Sequence, residues 1–107
     1  MNRNYQLGLN YYNGDNGYEE NIDSAVMFFK YALDEECYEA AYMLGLCYSE
    51  ALDKEKINIE EALKNMKLAS NKRIDSATEW LADYYLGKDF FLFIKYYCLI
   101  ILQFKSI

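Results

Sequence analysis

One short motif returns at a fixed interval along the chain. Leu7-Gly8-Leu9-Asn10-Tyr11, Leu44-Gly45-Leu46-Cys47-Tyr48 and Leu81-Ala82-Asp83-Tyr84-Tyr85 are each displaced by 37 residues from the copy before. A constant offset of this size marks a stack of small units, each too small to bury its apolar face alone. Ala40 and Ala77 precede their leucines by the same distance, a place held in the first copy by Arg3. A second segment obeys the same offset, with Ala25 mapping to Ala62 and Ala32 to Ala69.

Each repeated segment has helical period. Ile22, Ala25, Phe28, Phe29 and Ala32 share one face of a helix over 22–32, and Ile59, Ala62, Leu63, Met66 and Ala69 do so over 59–69. In the motif helix, Ala41, Leu44, Gly45 and Tyr48 share a face. Small residues there let two helix backbones approach closely while large ones fill the flanks. Asn13-Gly14-Asp15-Asn16-Gly17 tolerates positive φ and ends the first helix. Asp23, ahead of Ser24 and Ala25, fits the opening of the next helix. The corresponding turn of the second unit, 49–58, has no glycine and carries Asp53-Lys54-Glu55-Lys56. No proline interrupts any helix. The expected fold is an all-α superhelix, or solenoid, of about three helix-turn-helix repeats forming one domain over 1–107. Its units are approximately 1–36, 37–73 and 74–107, and the last is degenerate. Strict register puts Leu99 and Ser106 at the two alanine positions of the third unit, whereas a turn shortened by seven residues puts Leu92 and Leu99 there.

Ala-x-x-x-Leu-Gly-x-x-Tyr on a first helix, a glycine-bearing turn, and two alanines seven apart on a second helix resemble the Sel-one-like repeat, a relative of the tetratricopeptide repeat. Ala40, Leu44, Gly45, Tyr48, Ala62 and Ala69 carry the resemblance in one copy, and Leu7, Gly8, Tyr11, Gly14, Ala25 and Ala32 in another. It implies a non-enzymatic adaptor or scaffold that binds another protein, with no cofactor. Exported Cys-rich members bridge adjacent helices from positions that here hold Leu33 and Ala41, so the resemblance implies no disulfide for this chain.

Charge and composition remove other classes. Acidic residues outnumber basic ones 17 to 11, for a net charge of −6. That balance opposes nucleic-acid binding, which needs a basic stripe along the phosphates. The imbalance is local: residues 1–62 hold 13 acids and 4 bases, and residues 63–107 hold 4 acids and 7 bases. Three cysteines, Cys37, Cys47 and Cys98, cannot all pair within one chain, and no histidine is present. Reduced thiols and a start lacking a continuous apolar stretch point to a cytoplasmic protein. No phosphate-binding glycine loop, no Gly-x-Ser-x-Gly elbow and no acid-base motif occurs, so no catalytic residues are assigned. Asp34, Glu35, Glu36 and Glu39 form an acidic cluster, and the acidic turn over 15–23 lacks the alternating ligands of a calcium loop. Both read as solvated surface, and no metal site is assigned.

Two places remain as candidates for binding. The face of each first helix opposite the Leu-Gly-Tyr face is expected to line the concave side of the stack. It holds Tyr5, Leu9 and Tyr12, then Tyr42, Leu46 and Ser49, then Glu79, Asp83 and Leu86. Tyrosines joined to acids suit a peptide carrying basic residues, although the same tyrosines can simply complete a small core. The other place is the segment 90–107, whose stretch from Phe90 to Leu102 is interrupted only by Lys95 and is shorter than a bilayer span. It either folds back on the third unit or meets a second copy, a partner protein or a membrane surface.

Overall fold

The computed structural model describes residues 1–50 and 54–105, so that Asp53 and Ser106 lie outside the described residues. Six α-helices follow one another: α1 (Arg3–Asn13), α2 (Ile22–Asp34), α3 (Glu39–Ser49), α4 (Ile59–Asn71), α5 (Asp75–Tyr85) and α6 (Phe90–Lys105). Among the described residues the only other regular element is a single 3-10 turn, Lys54–Lys56. Helices α1 and α2, α3 and α4, and α5 and α6 pair as hairpins, and α2 and α4 pack on the first helix of the next hairpin. The chain is therefore the expected all-helical stack.

Asparagine opens the second helices. Asn21 Oδ1 accepts from the Ser24 amide at 3.0 Å, and Asn58 Oδ1 accepts from the Glu61 amide at 3.1 Å. Each cap satisfies an amide that the helix itself leaves unpaired. Asp23 accordingly falls inside the first turn of α2, where its charge suits the helix dipole, and the cap lies two residues earlier. The capping residues are 37 apart, so this is a repeated position too.

The carbonyl of the motif tyrosine ties each hairpin together. The Asn21 amide donates to the Tyr11 carbonyl and the Asn58 amide to the Tyr48 carbonyl, both at 2.8 Å. In the third unit the Asp89 amide donates to the Tyr85 carbonyl at 3.1 Å, while Asp89 Oδ1 caps α6 through the Leu92 amide at 3.1 Å. Counted from these caps, the third turn is shorter than the second by six residues. Phe93 and Ile100 thus take the alanine positions, a register one residue from the shortened one and distinct from the strict one.

The joints between units are also repeated. Glu36 and Arg73, 37 residues apart, both adopt left-handed backbone with φ of 64°. At each joint the next amide reaches back to close the helix: Cys37 to the Ala32 carbonyl and Ile74 to the Ala69 carbonyl, each at 3.0 Å. This Schellman closure ordinarily uses glycine, because a Cβ costs roughly 1–2 kcal/mol in that conformation. Glu36→Gly is expected to stabilise the chain by about 1 kcal/mol. The helical circular-dichroism signal of the variant should melt about 4 °C higher, and an unchanged or lower midpoint would contradict the assignment.

Two core clusters result. Ala25, Phe29, Ala32, Ala40, Leu44 and Cys47 bury the junction of the first two units. Ala41, Met66, Ala69, Ala77, Leu81, Tyr85 and Tyr96 bury the next. Gly8 and Gly45 perform the close approach expected of them. A Cβ on Gly8 would lie 2.5 Å from the Phe29 ring, and one on Gly45 would lie 2.7 Å from Met66 Cε. In the third unit Ala82 replaces the glycine, and Tyr96 instead stacks on Tyr85 with centroids 5.9 Å apart.

Helix α6 does fold back on its own unit. Leu92, Phe93, Tyr96 and Ile100 pack on the second core cluster. The opposite side stays uncovered, so the greasy segment completes the unit with one face only. No helix among the described residues is long and apolar enough to cross a membrane.

Candidate functional site

The first helices carry their tyrosines at matching heights, since Tyr5 and Tyr42 are one period apart. Tyr5, Leu9, Tyr12, Tyr42 and Leu46 are all half-buried and packed on the first core cluster, with Tyr42 and Leu46 reaching the second as well. Aromatic rings seated in this way present apolar area together with a polar hydroxyl.

Electrostatics shows which groups share this surface. Burial, then the Cys37, Glu39 and Tyr42 groups, push the Tyr5 hydroxyl above its usual range. Tyr12 is raised by burial and then by Glu50, Cys47, Tyr42 and Glu20. Tyr42 is raised by burial and then by Glu50 and Glu79. Tyr42 therefore lies within electrostatic reach of both other tyrosines and of an acid from the third unit. Every charged contributor is acidic, so the surface holds protonated phenols in a field of negative sign.

The remaining expected members are placed differently. Ser49 is half-buried and its hydroxyl donates to the Leu46 carbonyl at 3.2 Å, which turns it onto its own helix. Glu79 and Asp83 are exposed on α5. Leu86 is exposed and lies beyond that helix, because its backbone becomes extended (φ −58°, ψ 119°) before Gly87 turns at φ 79°. Its φ is still helical and its amide still bonds the Ala82 carbonyl, so its Cβ keeps the phase of Glu79 seven residues earlier, and only the chain after it turns away. Two acids that flank the tyrosines were not among the expected members: Glu39, assigned to the solvated acidic cluster, and Glu50. Their spacing held the signal: Glu39 is three residues before Tyr42 and Glu50 four after Leu46.

All three cysteines are free. Burial, followed by Glu50, pushes the Cys47 thiol up to about 12, so it stays protonated and unreactive at neutral pH. Cys37 donates to Glu39 Oε2 at 3.5 Å and is raised by burial first and by that carboxylate second. No group of three or more metal-ligating side chains comes together among the described residues.

Away from the tyrosines, a concavity of about 500 Å³ opens where the end of α4, the start of α5 and α6 meet. Ser70 and Thr78 hydrogen-bond across it at 2.6 Å. Its lining includes one base, Arg73, and one acid, Asp75, giving no preference of charge.

Three clasped helix hairpins, each packed on the next and presenting aromatic surface, define a helical-repeat solenoid. Residues 4–36 and 39–73 match the family model of the Sel1 repeat. The chain belongs to the Sel1 repeat family, whose repeats are generally protein-interaction modules and typically not enzymes. No curated protein and no solved structure matches the chain.

Proposed function

We propose that this chain is an interaction module that holds a cationic segment of another protein against the tyrosines of its first helices. The observation that carries this reading is the uniform sign of the groups around Tyr5, Tyr12 and Tyr42, all of them acidic. Lysine or arginine of a bound peptide would meet carboxylates at the rim, and its aliphatic stem would lie along the phenol rings. The rest of the surface named from the sequence contributes unequally: Leu9 and Leu46 form its floor, while Glu79 and Asp83 extend the acidic rim onto the third unit. Leu86, exposed at the C-cap of α5, adds an apolar edge beyond Asp83.

Selection of random peptides displayed on phage tests the reading. Enrichment for Lys and Arg beside apolar residues is expected. Charge reversal at exposed rim positions, Glu50→Lys with Glu79→Lys, should weaken a selected peptide at least about tenfold while helicity is kept. Selection of acidic peptides, or indifference to the reversal, would sink the proposal. Tyr42 and Leu46 are less suitable targets, since both also pack on the core.

A further inference from the structure

The uncovered face of α6 is a helix-docking surface by its place in the repeat. Counted from the capping residues, Ile94 and Ile101 correspond to Val26 and Leu33 of α2 and to Leu63 and Ser70 of α4. Val26, Leu33 and Leu63 are partly buried in the core clusters, and Ser70 bonds directly to Thr78 on the incoming helix α5. This is the side on which α2 and α4 receive the next helix. In α6 Ile94 and Ile101 are 38% exposed each, and the open apolar surface runs on past that side to Phe91 (83%) and Leu102 (60%), whose counterparts in α2 are the exposed acids Asp23 and Asp34, with Phe90 (70%) and Tyr97 (48%) beside them.

The amount of apolar surface is that of an interface. With large side chains presenting on the order of 200 Å² each, these six leave roughly 700 Å² open, close to the ~800 Å² per partner of a stable complex. Phe91, Ile94, Cys98 and Ile101 alternate at spacings of three and four, the seam that packs one helix along another.

The occupant follows from what the other end of the stack cannot do. Where α3 and α5 dock on the preceding unit they do so through Ala40 and Ala77, both fully buried. The first helix has Arg3 there, and a long cationic side chain would hold it off the apolar face. Head-to-tail addition of copies thereby lacks the close helix approach of the internal joints and is disfavoured. A twofold pairing of α6 with itself is not: antiparallel helices set Phe91 beside Ile101 and Ile94 beside Cys98 of the second copy, and the contact closes. It also keeps the acidic halves, 1–62, at opposite ends of the pair. A lipid surface is the poorer match, because the lysines around this end, Lys67, Lys72, Lys88 and Lys95, lie over tyrosine rings of the fold, at 4.7–5.9 Å. We infer that the exposed face of α6 is the interface of a twofold homodimer of this chain.

Sedimentation velocity of the full chain from about 1 to 100 μM decides the matter. Twice the 12.7 kDa of one chain is expected at the upper end. Ile94→Asp and Ile101→Asp, at exposed positions that leave the fold intact, should each weaken the dimer at least about thirtyfold. Cys98, exposed on this face, gives a second readout: its alkylation should slow as wild-type concentration rises and stay constant in the Ile94→Asp variant. A monomer throughout the range, a dimer indifferent to both substitutions, or species that keep growing with concentration would overturn the inference. So would a monomer that floats with phosphatidylserine vesicles.

Discussion

Phe29→Ala is expected to cost about 3–5 kcal/mol, a large share of the roughly 5–15 kcal/mol that holds a domain of this size together. Phe29 is fully buried, and its ring fills the space that Gly8 leaves between α1 and α2. Truncation removes the ring and leaves a void that two helices pinned at their ends cannot close. The loss should also be local. Each unit touches only its neighbours, so the first hairpin can melt while the third persists. Trp80, the single tryptophan, sits on α5 stacked against Tyr84 at 5.4 Å and reports on the far end of the stack. Far-UV circular dichroism should therefore show early loss of helix in the variant, while the Trp80 fluorescence midpoint moves little. Superimposed transitions by both probes would mean the units are not separable.

Gly8→Val should destabilise by about 3 kcal/mol, the upper part of the usual range for overfilling a core. Already at the Cβ level the new atom would sit 2.5 Å from a stiff aromatic ring that is fully buried. Gly45→Val meets a different neighbour, the thioether of Met66 at 2.7–2.9 Å. Methionine is unbranched and can swing aside, so the same substitution one period later should cost about half as much. The two sites thus test one contact with a stiff and a flexible partner. Combining Gly8→Val with Phe29→Ala should recover part of the loss, because the valine occupies the void. Strict additivity in that double-mutant cycle would show that the two side chains do not meet.

The helices were legible because the repeat spells them out twice. Leu-Gly-x-x-Tyr and the paired alanines fixed the hairpins, and α2 and α4 begin at Ile22 and Ile59 as their periodicity indicated. The caps Asn21 and Asn58 were equally periodic, yet Asp23 and its neighbours offered a plausible start two residues later. The third hairpin was harder. Helix α6 has apolar side chains on every face, so hydrophobic period gives no phase, and only the Asp89 cap sets its register. Of the candidate surface, Tyr5 and Tyr42 were readable from period and face. The reach of Glu79 toward Tyr42 depends on how one unit is turned against the next, which no single helix encodes. Leu86 closes α5 as its C-cap, an end that the turn glycine Gly87 marks in the sequence.

The hydrogen bond from each capping amide to Tyr11, Tyr48 or Tyr85 has a consequence for how such a chain can diversify. It spans turns of very different make-up, residues 14–20, 50–57 and 86–88, and holds the following helix to the same carbonyl in all three. The spacer between hairpin arms is therefore decoupled from their placement. Insertions can accumulate there without altering the pitch of the superhelix, whereas the joints at Glu36 and Arg73, which set that pitch, admit none. The hairpin turns are the positions at which foreign sequence can be grafted.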